Sequence, residues 1–189
     1  MKFKSLFIFF SFLALSAMIT SCSSSKKGTM DAAASTTSDQ SMIEATVSSL
    51  DNDASLVEKS ANLKAGEKGT VSIFSDANGN IKKITKNSTS SVGEKTSKFY
   101  FEGSDLIASS HFEKNTVKAK GKLLFTATNY FFKNGKVIGS VMKSVKLKPS
   151  DEVNLEMKMN KEKFKSFVPS ANIMRDELAI IKKIKQLIK

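Results

Sequence analysis

The chain has 189 residues and a formal charge of +12, with fourteen phenylalanines, no tryptophan, one cysteine and one histidine. A single cysteine excludes a disulfide framework and a multi-cysteine zinc site, and a single histidine excludes a multi-histidine metal centre. Only Arg175 is an arginine; phosphate and base recognition usually exploits the bidentate fork of arginine, which lysine lacks, so nucleic acid is not expected as a partner.

Met1-Lys2-Phe3-Lys4 brings two positive charges, and Leu6–Ile19 is apolar apart from Ser11 and Ser16. A charged start and an apolar run, closed by a serine cluster instead of a charged stop-transfer flank, read as a cleaved export signal. Ile19-Thr20-Ser21 leads directly into Cys22, which Ser23-Ser24-Ser25 follows. This resembles the lipobox of bacterial lipoproteins, with Ile19 and Thr20 where Leu and Ala or Ser are usual. The resemblance implies that residues 1–21 are a signal peptide and that Cys22, lipidated, becomes the mature N-terminus and the membrane anchor. The serine after the cysteine resembles the signal for the outer membrane of a diderm bacterium. The alternative is an incidental cysteine in an ordinary secretory signal.

Residues 22–40 are rich in Ser, Thr, Ala and Gly and predict a flexible tether, since they carry too little apolar surface to offset their ordering entropy. Residues 41–189 are one domain's worth of chain. Met42, Ile43, Val47, Leu50, Leu56 and Val57 recur at loosely helical spacing, interrupted at Asp51-Asn52-Asp53, so residues 41–62 are expected to be helical.

Residues 69–148 repeat one pattern three times: SIFSDANGNIKKI, KFYFEGSDLIASS and NYFFKNGKVIGSV. Each is an aromatic or β-branched approach, a turn (Asn78-Gly79, Gly103-Ser104, Asn134-Gly135) and an apolar return, which predicts three β-hairpins. Alternation places Phe99 and Phe101 on one face with Tyr100 opposite, and Phe131 opposite Tyr130 and Phe132. The expected fold class is α+β: a six-stranded antiparallel meander packed against N- and C-terminal helices. Pro149-Ser150 ends the strands, and residues 150–189 predict two helices, Val153–Phe167 and Ala171–Lys189, the second basic and amphipathic. Its apolar stripe either covers the sheet or lies on a membrane surface.

The repeat, clearest in YFFKNGKVIG, resembles hairpin repeats of small bacterial envelope lipoproteins of uncharacterised function, and more distantly those of some toxin-neutralising proteins. The resemblance implies no catalytic residue and no cofactor. The residues themselves agree: His111 has no local motif for a Ser-His or Cys-His pair and reads as a packing or surface residue. Asp76-Ala77-Asn78-Gly79-Asn80 looks like the start of a calcium loop, but Gly79 comes too early and no acid closes it, so it reads as a turn and no metal is expected. Glu102, Asp105 and Glu113 could approach across strands, as paired surface acids often do.

Sixteen lysines against six carboxylates concentrate the charge in Leu63–Lys148. This predicts either attraction to an anionic surface or a solvated lysine face. Three functional classes follow. A structural or interaction lipoprotein would present a sheet face or edge to an envelope protein. A carrier would enclose a lipid or other apolar ligand among Phe99, Phe101, Phe112, Phe125, Phe131 and Phe132. An enzyme would need convergent polar groups in a cleft, for which the sequence offers no set. The first is the expectation.

Overall fold

From Lys68 to Leu147 most segments alternate apolar or aromatic residues with Ser, Thr, Asn and Lys, and six long strands form there: β2 (Lys68–Ser75), β3 (Ile81–Ser90), β4 (Gly93–Glu102), β5 (Asp105–Asn115), β6 (Leu123–Lys133) and β7 (Lys136–Leu147). A computed structural model describes residues 30–63, 68–116 and 121–188; Cys22 and the export signal lie outside the described residues. All six expected strands are present. The sheet nevertheless has eight, because β1 (Val57–Asn62) and β8 (Lys165–Ser166) add to its two edges in the order β1 to β8, every neighbour antiparallel.

Both additions fall where helix was expected. β1, Val-Glu-Lys-Ser-Ala-Asn, has almost no apolar alternation and is held by its ladder to β2, from Val57 opposite Ser75 to Asn62 opposite Thr70. The first helix, α1 (Met30–Asn52), starts inside the expected tether and stops where Asp51-Asn52-Asp53 broke the pattern. Its early turns follow from alanine, whose helix propensity needs no apolar stripe. At the C-terminal end a 3₁₀ turn (Pro149–Asn154) runs into the short α2 (Leu155–Lys161), then β8, then α3 (Ile173–Leu187).

The tight turns match their sequences. Asn134 and Gly135 both have positive φ (52° and 71°), as a two-residue type I′ hairpin loop requires. At the first turn Asp76 accepts hydrogen bonds from the Asn78 and Asn80 backbone N–H groups and from the Asn80 side chain, so its carboxylate serves the turn. The Asn80 side chain first, then its backbone N–H and the nearby Lys82, hold that carboxyl below the usual range.

Each hairpin carries one β-bulge just before its turn, between Phe74 and Ser75, Tyr100 and Phe101, and Phe131 and Phe132, with the extra residue on the returning strand: Lys82, Ile107 and Ile138. Bulges at one level in three successive hairpins increase the local twist and bend of the sheet there.

The sheet is covered on both faces. Against one, α3 places Ile181 and Ile184 over Val71, Ile73, Ile84, Phe99, Phe101, Leu106 and Phe132. Against the other, α1 places Val47, with Ile43 and Leu50, over Tyr100, Ile107, Ala108 and Phe131. Further along that second face, α2 places Met159 and Leu155 over Phe125, Ala127, Leu123 and Leu147. The expected sides of Phe99, Phe101 and Phe132 against Tyr100 and Phe131 are those observed, and the C-terminal amphipathic helix covers the sheet. Each large side chain so buried contributes roughly 1.5–3 kcal/mol, and α3 remains docked through such contacts.

Candidate functional site

The most unusual chemistry lies between the sheet and α3. Ser97 on β4 stands directly opposite His111 on β5, and Glu177 comes down from α3. His111 Nδ1 is 2.9 Å from Ser97 Oγ and Nε2 is 2.8 Å from Glu177 Oε1. The three residues are 3%, 6% and 3% exposed. Phe99 and Tyr130 meet the imidazole edge-on, with ring centroids 6.0 and 5.9 Å away. A neutral imidazole has one donor and one acceptor nitrogen, so the tautomer in which Nε2–H donates to Glu177 leaves Nδ1 to accept the Ser97 hydroxyl proton. Burial first, then the charges of Glu177 and Glu113, push the Tyr130 phenol above its usual range.

A hydroxyl, an imidazole and a carboxylate in line are the parts of a nucleophilic triad. Here, however, the hydroxyl lies beneath a docked helix. A groove of about 440 Å³ runs beside α3, but Leu178, Ile181, Lys182, Lys185 and Gln186 line it, and Ser97 does not. The arrangement as it stands joins a helix to a sheet through a polar chain. Glu177 Oε2 and the Ser109 hydroxyl are also buried without a hydrogen-bond partner among the described residues, at a penalty of about 1–3 kcal/mol each.

On the opposite face a second polar cluster fixes the C-terminal end of α1. Asp51 Oδ2 accepts from Lys98 Nζ and from the Tyr100 hydroxyl, both at 3.0 Å, and its Oδ1 accepts from Lys83 Nζ at 3.3 Å. Lys83 also reaches the Leu50 carbonyl at 3.4 Å and sits 4.6 Å over the Phe74 ring. A cation at a helix C-terminus favours the macrodipole and satisfies a carbonyl there. Burial, then the Asp51 charge, pushes the Tyr100 phenol far above its usual range. Lys143, 9% exposed, does the same for α2, donating to the Met159 carbonyl at 2.9 Å beneath the Phe164 ring; burial lowers its ammonium pKa.

The six phenylalanines are not brought together. Phe99, Phe101 and Phe132 lie beneath α3, Phe131 beneath α1 on the other face, and Phe125 with Phe112 beside α2. None lines the groove beside α3. The six are thus divided among three packing clusters on two faces. The acids do not converge either: Glu102 and Asp105 flank the β4–β5 turn, whereas Glu113 lies far along β5, 2.8 Å from Lys95.

Glu177 was not among the expected residues, although a signal for it exists: it interrupts the apolar stripe Ile173, Met174, Ile180, Ile181, Ile184 at the helical spacing of a core position. Among the described residues, no group of three or more His, Cys, Asp and Glu is placed to hold a metal ion, and no helix is long and apolar enough to cross a membrane. No family model matches the chain, and comparison with curated proteins and with solved structures found no match.

Proposed function

We propose that the protein is a membrane-anchored envelope lipoprotein, held through lipidated Cys22 in the outer membrane of a diderm bacterium, and that it acts as a non-enzymatic module presenting its sheet to an envelope protein. The observation that carries the interaction role is the outer edge of β1. Among the described residues this strand pairs with β2 alone, and it is exposed over five of its six residues. An open strand edge offers backbone donors and acceptors to an added strand. The core clusters support the same reading, because the phenylalanines that a carrier would line its cavity with are used in packing α1, α2 and α3.

The test is photo-crosslinking in cells from Lys59 on β1, with Leu178 on α3 as the control position. A discrete crosslinked species from Lys59 alone is expected. A stoichiometric apolar adduct on protein purified from its native envelope would refute the interaction role and favour a carrier for a lipid or other apolar ligand. That second reading draws on the three aligned bulges: a bent sheet with Phe99, Phe101 and Phe132 beneath one helix exposes an apolar surface if α3 lifts.

A further inference from the structure

The surface of the segment between β7 and α3 combines apolar side chains with lysines. Leu155 and Met159 face the sheet from α2, and helical spacing places Val153, Met157 and Lys161 on the opposite ridge. Val153 is 88% exposed and Met157 54%. Beyond α2 come Phe164, 37% exposed, and Val168, 94% exposed. Lys158, Lys161, Lys163 and Lys165 are interleaved with them, all exposed, against Glu156 and Glu162. Exposed apolar side chains alone are ordinary on a surface. Set among four cations on one short excursion, they fit an interface of anionic head groups over hydrocarbon.

The placement of the N-terminal helix adds a second argument. α1 and α2 occupy the same face of the sheet, since Phe131 beneath α1 and Phe125 and Ala127 beneath α2 alternate to one side of β6. The chain leading back to Cys22 therefore joins the domain on the face that α2 covers. Eight residue steps separate Cys22 from Met30, which span about 28 Å at most when extended. A lipid at Cys22 thus keeps the domain within reach of the bilayer, where even weak contacts act at high effective concentration.

We propose that the outward surface of Val153–Val168 lies on an anionic phospholipid surface and orients the domain at the membrane, a role that rests on the anchoring reading above. The groove and lysines beside α3 form the rival surface, on the opposite face. Because the chain contains no tryptophan, Val153→Trp, Val168→Trp and Leu178→Trp each give a single tryptophan, excited selectively over the two tyrosines. Each full-length variant, purified in its native lipidated form, is reconstituted into phosphatidylcholine vesicles with or without phosphatidylglycerol, with bromine-labelled lipid as the quencher. The expected result is loss of most of the emission at positions 153 and 168 in the anionic vesicles and little loss at 178. Changing Lys158, Lys161, Lys163 and Lys165 to Glu should restore the emission at 153 and 168. Quenching at 178 in their place, or equal quenching in vesicles lacking the anionic lipid, overturns the proposal. Co-flotation with the vesicles reports the anchor separately: protein that floats without quenching at 153 or 168 removes the docking surface alone, whereas protein that floats with neither composition removes the anchor as well.

Discussion

Removing His111 alone from the Ser97–His111–Glu177 chain should be worse than removing His111 and Glu177 together. In His111→Leu, the Glu177 carboxyl loses the one hydrogen-bond partner it has among the described residues, while Oε2 already lacks one; removing one partner of such a buried pair costs about 3–5 kcal/mol. In Glu177→Leu the imidazole loses a partner but can stay neutral, so the loss is that of an orphaned polar group, about 1–3 kcal/mol. The double variant fills the space with hydrocarbon and leaves only the Ser97 hydroxyl unpaired, so it should lie within about 2 kcal/mol of the parent and above His111→Leu. The implied interaction energy is about 2 kcal/mol or more. Urea unfolding followed by circular dichroism measures the cycle, and amide exchange across α3 should report the same ranking locally. If the two single losses add to the double within about 0.5 kcal/mol, the three groups do not act as one chain and the reasoning is refuted.

Asp51→Ala should destabilise the protein by about 1–3 kcal/mol by leaving the buried Tyr100 hydroxyl without its acceptor, and Tyr100→Phe by about half as much, both read from urea midpoints. Gly93→Ala should fail more sharply than an exposed strand substitution: its φ of 144° is strained for alanine, and an added Cβ would run into the Lys114 carbonyl across the ladder, so thermal unfolding should show a loss of at least about 1–3 kcal/mol. Stability should also fall above about pH 10, because Tyr100 and Tyr130 have raised phenol pKa values in the fold. The folded state keeps both protons where the unfolded chain releases them, and stability then drops as pH rises. Lys143, whose ammonium pKa is lowered, acts in the opposite sense, since its unfolded form binds the proton more tightly up to about pH 10.5. The two tyrosines outnumber it, so tyrosinate absorbance should appear only together with loss of the circular dichroism signal; ionisation of both within the folded protein would contradict the burial argument.

The six long strands could be read from the sequence because each hairpin combines period-two alternation with turn residues that tolerate positive φ. The Ser97–His111 pairing could not. A regular two-residue loop at Gly103-Ser104 would set Ser97 opposite Ser110, and the bulge at Tyr100/Phe101 shifts His111 into that place and onto the α3 face. No local propensity marks such a one-residue slip, which depends on packing. β1 escaped for a related reason: Val57–Asn62 is ordered by its backbone ladder to β2 and by the contact between the Ser60 and Ser72 hydroxyls, with Oγ atoms 2.8 Å apart. The start of α1 is rich in alanine and poor in apolar stripe, so its helix rests on propensity, which an apolar pattern does not register.

The strand order from β1 to β8 follows the chain, and this has a kinetic meaning. Every ladder joins sequence neighbours, so each strand can add to the growing edge in chain order, without waiting for a distant segment. Such low contact order favours rapid folding and limits the time an apolar edge stays bare. The exception is α3, which must return across the finished sheet before Glu177 can meet His111. Closure of that helix is thus expected as the final event of folding and, by the same logic, as the first contact released when the protein is pulled from its C-terminus.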